Sequence, residues 1–322
     1  MSALARYYHA TGYLVAGYDK TPSPLIEELI NSGIEVVFEE GVAAIPAAIQ
    51  SLNPGEVMWV YTPAIPKDHA QLNWLKDQGI TPLKRAQVLG QITRGRQTLA
   101  VAGTHGKTTT SSLLAHLLHA GGVDCTAFLG GISTNFGTNY IEAKNVHAAP
   151  VVVEADEFDR SFLQLQPNMA IVTSTDADHL DIYGEAADFR KGFEEFTSLI
   201  PKDGMLIQKK GLGLPCSGEN LQYAVELETD YFAAEVRIEN GHYRFNLETP
   251  TGMVPDLSLG LPGRHNMENA VAASAIALRM GVSQDDLRKG LASFKGVKRR
   301  FERIINREDC IYIDDYAHHP EE

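Results

Sequence analysis

The stretch Thr98-Leu-Ala-Val-Ala-Gly-Thr-His-Gly-Lys-Thr-Thr109 decides how the rest of the chain is read. A short apolar run of strand length leads into two glycines that bracket Thr104 and His105. Lys107 and Thr108 then open a helical pattern extending to Ala120. Strand, glycine loop and helix, in that order, is the context a phosphate-binding loop requires. Glycines let the backbone approach phosphate oxygens, a helix N-terminus offers unpaired N–H groups, a lysine adds a point charge, and a hydroxyl can reach a magnesium ion. The position where the longer form of this loop carries a further glycine is Val101, so this is the shorter form. His105 on its own reads equally as a turn residue or as a substrate contact.

Working outward, further apolar strands lie at Pro150 to Glu154 and Met169 to Ser174, with a helix at Ala186 to Leu199. Each of these strands runs into polar residues. Val151-Val-Val153 leads to Glu154-Ala-Asp-Glu-Phe-Asp159, and Ala170-Ile-Val-Thr173 leads to Thr175-Asp-Ala-Asp-His179-Leu-Asp181. Parallel sheets bind ligands at the C-terminal ends of their strands, so Thr108, Glu154 and His179 are expected to share one cleft suited to magnesium beside a triphosphate. A solvated acidic loop and a structural histidine are the bland alternatives. From Tyr231 to Pro255 short β-like runs, broken by turns such as Glu239-Asn-Gly241, suggest an antiparallel insertion or edge sheet. Helices at Asn266 to Met280 and Ser283 to Phe294 close this part.

Before Thr98 the pattern is also α/β. A helix over Met1 to Ala10 ends at Gly12, strands are expected at Tyr13 to Tyr18, Ile34 to Phe38 and Glu56 to Tyr61, and a helix runs from Pro66 to Gln78. The expected fold is α/β throughout. A Rossmann-like first domain over 1–97 lacks its opening strand and glycine loop, a parallel-sheet ATPase domain with a small antiparallel part spans 98–296, and 297–322, with a strand at Ile311 to Ile313, begins a third α/β domain. On this reading the chain is cut short at both ends.

Composition narrows the function. The 322 residues are 44% hydrophobic and 21% charged, which is ordinary globular material. A formal charge of -13 with no basic stripe argues against nucleic acid. Cys125, Cys216 and Cys310 are odd in number and widely spaced, which supports neither a disulfide framework nor a zinc site and suits a reducing cytoplasm. No stretch reaches the ~20 apolar residues of a membrane span, and no signal core follows the N-terminus. A cytoplasmic monomer or weak homodimer is expected.

Several separated motifs resemble the Mur ligase superfamily, and within it the branch that adds L-alanine. They are Gly103-Thr-His-Gly-Lys-Thr-Thr109, Glu154-Ala-Asp-Glu157 with Ser161-Phe-Leu-Gln-Leu-Gln-Pro167, and Asp178-His-Leu-Asp-Ile-Tyr183. Further along come Leu261-Pro-Gly-Arg-His-Asn-Met-Glu-Asn269, Phe294-Lys-Gly-Val-Lys-Arg-Arg-Phe301 and Asp314-Asp-Tyr-Ala-His-His-Pro320. The resemblance implies an ATP-dependent, magnesium-using amide ligase acting on UDP-N-acetylmuramate and L-alanine. It implies that Lys107 holds the β- and γ-phosphates, that Thr108 and Glu154 bind one magnesium, and that His179 with Glu154 binds a second. Residues Gly103, Thr104, His105, Gly106 and Thr109 would line the phosphates. Asn266 and Asn269, with His265 beside them, would face the adenine, though Asn266 also reads as a helix cap. Arg300 would reach the phosphates and Asp315 the ribose and magnesium, while Arg299 and Arg300 read from the residues alone equally as surface charges. Substrate-side candidates are Asp19, Thr62, Arg85 and His105. Lys191 does not match the spacing of the carbamoylated lysine some members use and takes no role. A tripeptide-adding muramate ligase and a nucleotide-binding module without ligase activity are the competing readings.

Overall fold

The computed structural model describes residues 1–176, 186–239, 241–307 and 309–316. The chain divides into two units, Met1–Ile92 and Thr93–Glu322.

The first unit runs α1 (Ser2–Ala10), β1 (Ala16–Tyr18), α2 (Pro24–Asn31), β2 (Glu35–Val37), α3 (Ala47–Gln50), β3 (Val60–Tyr61), α4 (Ala70–Asp77) and β4 (Leu83–Lys84), followed by α5 (Arg85–Thr93) across the division. Its strands are shorter than the apolar runs suggest. β1 pairs in parallel with β2 over three residues, and Tyr13 and Leu14 stand outside that pairing, exposed. The run from Glu56 yields only Val60–Tyr61, because Pro54–Glu56 is wound into a 3-10 turn that the Asn53 side chain caps. β3 pairs in parallel with β4, so the four strands make two separate pairs and not one sheet. The helix expected from Pro66 starts only at Ala70, after a turn closed by the His69 N–H on the Pro66 carbonyl. α2, unforeseen in the sequence, has ordinary start chemistry: Ser23 accepts the Ile26 N–H and Pro24 occupies the first turn.

In the second unit the elements are β5 (Thr98–Ala102), α6 (Lys107–Ala120), β6 (Thr126–Phe128), β7 (Tyr140–Ile141), β8 (Val151–Glu154), β9 (Met169–Val172) and α7 (Ala186–Ser198). Then follow β10 (Met205–Lys209), β11 (Glu219–Val225), β12 (Tyr231–Glu239), β13 (His242–Glu248), β14 (Val254–Leu259), α8 (Arg264–Arg279), α9 (Gln284–Ser293), β15 (Glu302–Arg307) and β16 (Cys310–Asp314). Among the described residues β5 to β14 form one ten-stranded sheet in the order β14-β13-β12-β11-β10-β9-β5-β8-β6-β7. β5 lies between two parallel neighbours and every one of its residues is buried, which is why its sequence is continuously apolar after Thr98. The run from Tyr231 is not a separate insertion. β12 pairs in parallel with β11 and antiparallel with β13, so the antiparallel portion extends the edge of the same sheet.

Helices α6, α8 and α9 contribute the large apolar cluster with the sheet, through Leu113, Leu117, Ile276, Leu287 and Leu291. Burying a leucine in such a place contributes roughly 1.5–3 kcal/mol. A second packing group is aromatic. Phe162 stacks on Phe196 at 5.0 Å and meets Phe193 edge-on at 5.3 Å, fixing the segment that follows β8 against α7. β15 and β16 pair antiparallel, and Ile311 to Ile313, expected as a strand, lies within β16.

Candidate active site

After β5 the chain passes to β8 on one side, through β6 and β7, and then to β9 on the other. Such a reversal opens a crevice beyond the C-terminal ends of the strands. The loop Gly103 to Gly106 fills that place. Gly103 has φ +131, and a Cβ there would strike the Thr173 hydroxyl and lie 2.9 Å from the Ser174 nitrogen. Gly106, the residue before α6, has φ +78, and a Cβ would lie 2.7 Å from Oδ1 of Asn269. Both positions therefore demand glycine on space as well as on backbone conformation. The end of β9 holds the loop. Ser174 Oγ accepts the His105 N–H at 3.0 Å, Thr104 Oγ1 donates to the Asp176 carbonyl at 2.8 Å, and the Thr173 hydroxyl donates to the His105 carbonyl.

Two carboxylates meet the start of α6. Thr108 Oγ1 lies 2.9 and 3.1 Å from the two oxygens of Glu154, the last residue of β8. Lys107 Nζ donates to both oxygens of Glu157 at 2.8 and 2.7 Å, and to the Gly103 carbonyl at 2.8 Å. Glu157 is 1% exposed. Loss of hydration pushes both carboxyls above the usual range; Lys107 opposes this at each, and the Thr108 hydroxyl does so at Glu154. A Cβ on Gly130 would strike the Glu154 carboxylate, and one on Gly131 would lie 2.7 Å from Val297 Cγ1 and 3.2 Å from Thr108 Cγ2. The pair Gly130-Gly131 is thus the wall against which Glu154 and Thr108 are set.

Of the residues singled out in the sequence, the structure brings together Gly103, Thr104, His105, Gly106, Lys107, Thr108, Glu154 and Asn269. Thr109 follows in the first turn of α6. His179 lies outside the described residues. Asn266 is buried, but its amide donates to the Pro262 carbonyl at 2.6 Å and Gly263 takes the position before α8, so Asn266 is not the N-cap. His265 is exposed and packs beside Gly263. Arg300 stands before β15 and Asp315 directly after β16, on the stretch that begins at Val297. The Arg300 guanidinium lies 5.7 Å from the Tyr316 ring centre, and Asp315 Oδ1 accepts the Phe301 N–H at 3.1 Å. That segment joins the site's wall: Val297 bridges to Ser133, and the Lys298 N–H reaches the Ile132 carbonyl.

In the first unit Asp19 follows β1 and accepts the Thr21 N–H, Thr62 follows β3, and Arg85 opens α5. Sequence reasoning missed Glu157 as the partner of Lys107, the Gly130-Gly131 wall, and Thr173 and Ser174 as holders of the loop. An acidic residue three positions after Glu154 was the one available signal for the first.

The donor set suits a hard cation. Thr108 and Glu154 offer oxygens only. Comparison with known proteins agrees with this geometry. Residues 1–97 match the Mur ligase family catalytic domain and residues 101–277 the Mur ligase middle domain. The chain is 50% identical to a UDP-N-acetylmuramate--L-alanine ligase of Porphyromonas gingivalis, covering 100% of this chain and 71% of that protein. It is 49% identical to the protein of that name from Christiangramia forsetii, covering 100% and 70%. The crystal structure of the Thermotoga maritima UDP-N-acetylmuramate-alanine ligase superposes with a TM-score of 0.83 at 25% identity, over 100% of this chain and 72% of that one. A Neisseria UDP-N-acetylmuramate:L-alanyl-gamma-D-glutamyl-meso-diaminopimelate ligase gives 0.79 at 25% identity, over 93% and 96%. With both matched regions in order along the chain and half its residues shared with a relative it covers to 71%, the chain belongs to the Mur ligase family.

Proposed function

We propose that this chain carries the nucleotide site of an ATP-dependent, ADP-forming ligase that joins L-alanine to UDP-N-acetylmuramate in peptidoglycan precursor synthesis, in the cytoplasm. The observation that carries the reading is the pairing of Thr108 with Glu154 and of Lys107 with Glu157 beneath a glycine loop, in a chain half identical to relatives of that name.

In the proposed reaction a carboxylate oxygen of the muramoyl group attacks the γ-phosphorus of ATP. The bond to the bridging oxygen breaks, and ADP leaves with the electron pair. The amine of L-alanine then attacks the acyl carbon of the resulting acyl phosphate, phosphate departs, and the amine gives up a proton. Little covalent work falls to the protein; its task is placement and charge. The loop N–H groups at the start of α6 face the phosphates, and Lys107 offsets charge on the transferred group. Thr108 and Glu154 would hold magnesium, which supplies charge neutralisation between phosphate oxygens. Asn269, packed on Gly106, sets the floor on which the adenine end would rest. Arg300, Asp315 and His179 complete the proposed set, with Asp19, Thr62 and Arg85 on the UDP-sugar side. Residues 297–322 are proposed as the opening of a third α/β domain.

ADP release with UDP-N-acetylmuramate present, measured with L-alanine and with the L-alanyl-γ-D-glutamyl-diaminopimelate tripeptide in parallel, tests the reading. Release dependent on L-alanine is expected. Release with the tripeptide alone would assign the chain to the other branch. Nucleotide binding without release under either condition would leave a binding module.

A further inference from the structure

The ammonium of Lys107 has three N–H bonds, and the structure uses all three. Two go to Glu157 and one to the Gly103 carbonyl, with the Thr104 carbonyl a fourth, longer neighbour at 3.4 Å. A phosphate oxygen can therefore reach Lys107 only by displacing a contact already made. We propose that Glu157 is an internal stand-in for the triphosphate: it holds Lys107 on the loop in the nucleotide-free protein and competes with the β- and γ-phosphates for it. This rests on the reading of the loop as an ATP site.

Glu157 is built as a fixed post. It is buried, the Arg160 N–H closes a turn onto its carbonyl at 3.0 Å, and the Phe162 N–H bonds to the Asp156 carbonyl at 2.9 Å. Asp159 and Arg160 both take left-handed φ of 52°, a costly backbone state that persists only where the surroundings enforce it. Here the enforcement comes from Phe162, stacked on Phe196 and edge-on to Phe193 of α7. Lys107, by contrast, sits on a flexible four-carbon stem at the rim of the helix. When a triphosphate enters, the lysine is the partner that moves and Glu157 is the one that stays.

Competition has a signature that a merely structural role lacks. Glu157→Gln keeps the shape and removes the charge, so it is expected to lower the Kd of adenylyl imidodiphosphate at least threefold by calorimetry. AMP, which carries no β- or γ-phosphate, should bind as before. In a Lys107→Met background the same substitution should tighten the imidodiphosphate by much less, since only direct repulsion between carboxylate and phosphates is then relieved, and should leave AMP unchanged. Glu157→Asp, which withdraws the charge by a methylene, should fall between wild type and Glu157→Gln, and it serves in place of the latter if that variant does not fold. Unchanged or weaker binding of the imidodiphosphate, equal tightening of AMP, or tightening that survives undiminished without Lys107 overturns the proposal. Failure of the wild-type chain to bind any of these nucleotides removes the ATP reading itself and the proposal with it.

Discussion

An alanine at Gly130 tests the wall behind the candidate metal site. Its Cβ would stand 2.7 Å from Cδ and 2.8 Å from Oε1 of Glu154, closer still to Oε2, where ordinary contact begins near 3.4 Å. The carboxylate would have to withdraw by about 0.7 Å or more, the difference between those distances. It has little freedom to do so. Glu154 ends a strand paired with β5, both its oxygens are engaged by Thr108, and the Gly130 N–H itself bonds to it. Overpacking of this kind costs ~1–3 kcal/mol, and weakening the threonine contact adds ~0.5–1.5 kcal/mol. For a unit of this size each kcal/mol moves the melting temperature by roughly 2–4 °C, so a fall of roughly 3–18 °C is expected. Function should suffer more than stability, because the displaced group is the proposed magnesium ligand: the magnesium concentration for half-maximal ADP release should rise at least tenfold. Gly41→Ala is the control, since nothing lies within 4 Å of the added carbon and its φ of -66° suits any residue. If Gly130→Ala melts within a degree of wild type and keeps its magnesium dependence, the wall has been misread.

Lys107→Met should abolish ADP release and also destabilise the fold, by ~3–5 kcal/mol, because Glu157 loses its cation while buried; Lys107→Met/Glu157→Gln should recover most of that loss in thermal melts. The single variant's deficit should shrink as pH falls. Glu157's folded pKa lies above the ordinary 4.5, so the native state takes up its proton first, and the stability linked to that proton fades as pH rises through the folded value. His116 has the opposite sign. Burial lowers it from 6.5, so its contribution is present above that pH and is lost on acidification; the slope of melting temperature between pH 7 and 5.5 should be shallower in His116→Gln. A thiol reagent at pH 8 should label exposed Cys310 in the native protein and leave Cys125, pushed up to about 12 by burial, until the chain is unfolded; early labelling of Cys125 would contradict its place in the core.

What could be read from the sequence is what the chain writes locally. β5 and α6 were legible because a buried parallel strand is apolar throughout and the glycine loop has few other uses; Glu154 was legible because it ends such a strand. β10 and β11 were passed over. Met205 to Lys209 is short, and Glu219 to Val225 begins with polar residues that lie toward the exposed end of the strand. The length of β1 depended on the three residues of β2, which no local pattern announces. Glu157, Gly130 and Thr173 escaped for a common reason. Each acts through a partner 24 to 70 positions away, brought near only by strand order: Glu157 on Lys107, Gly130 on Glu154, Thr173 on the loop between β5 and α6.

The two consecutive loop residues Lys107 and Thr108 are each given a separate carboxylate, three positions apart on the chain, and the consequence is a question of charge. With both carboxylates ionised, Glu154 and Glu157 outweigh Lys107 by one negative charge, in a protein whose formal net charge is already -13. A nucleoside triphosphate adds several more negative charges to the same crevice, where low local hydration strengthens every pairwise term. Such a site should admit the nucleotide poorly by itself and much better as its magnesium complex. Removing one of the two negative charges should relax that requirement. The ratio of Kd for the imidodiphosphate without and with magnesium should therefore be smaller in Glu157→Gln than in wild type, because the variant retains the Thr108–Glu154 ligands while presenting less repulsion. An unchanged ratio would mean that the cation acts only as a ligand bridge and that the charge of Glu157 is not felt by the phosphates.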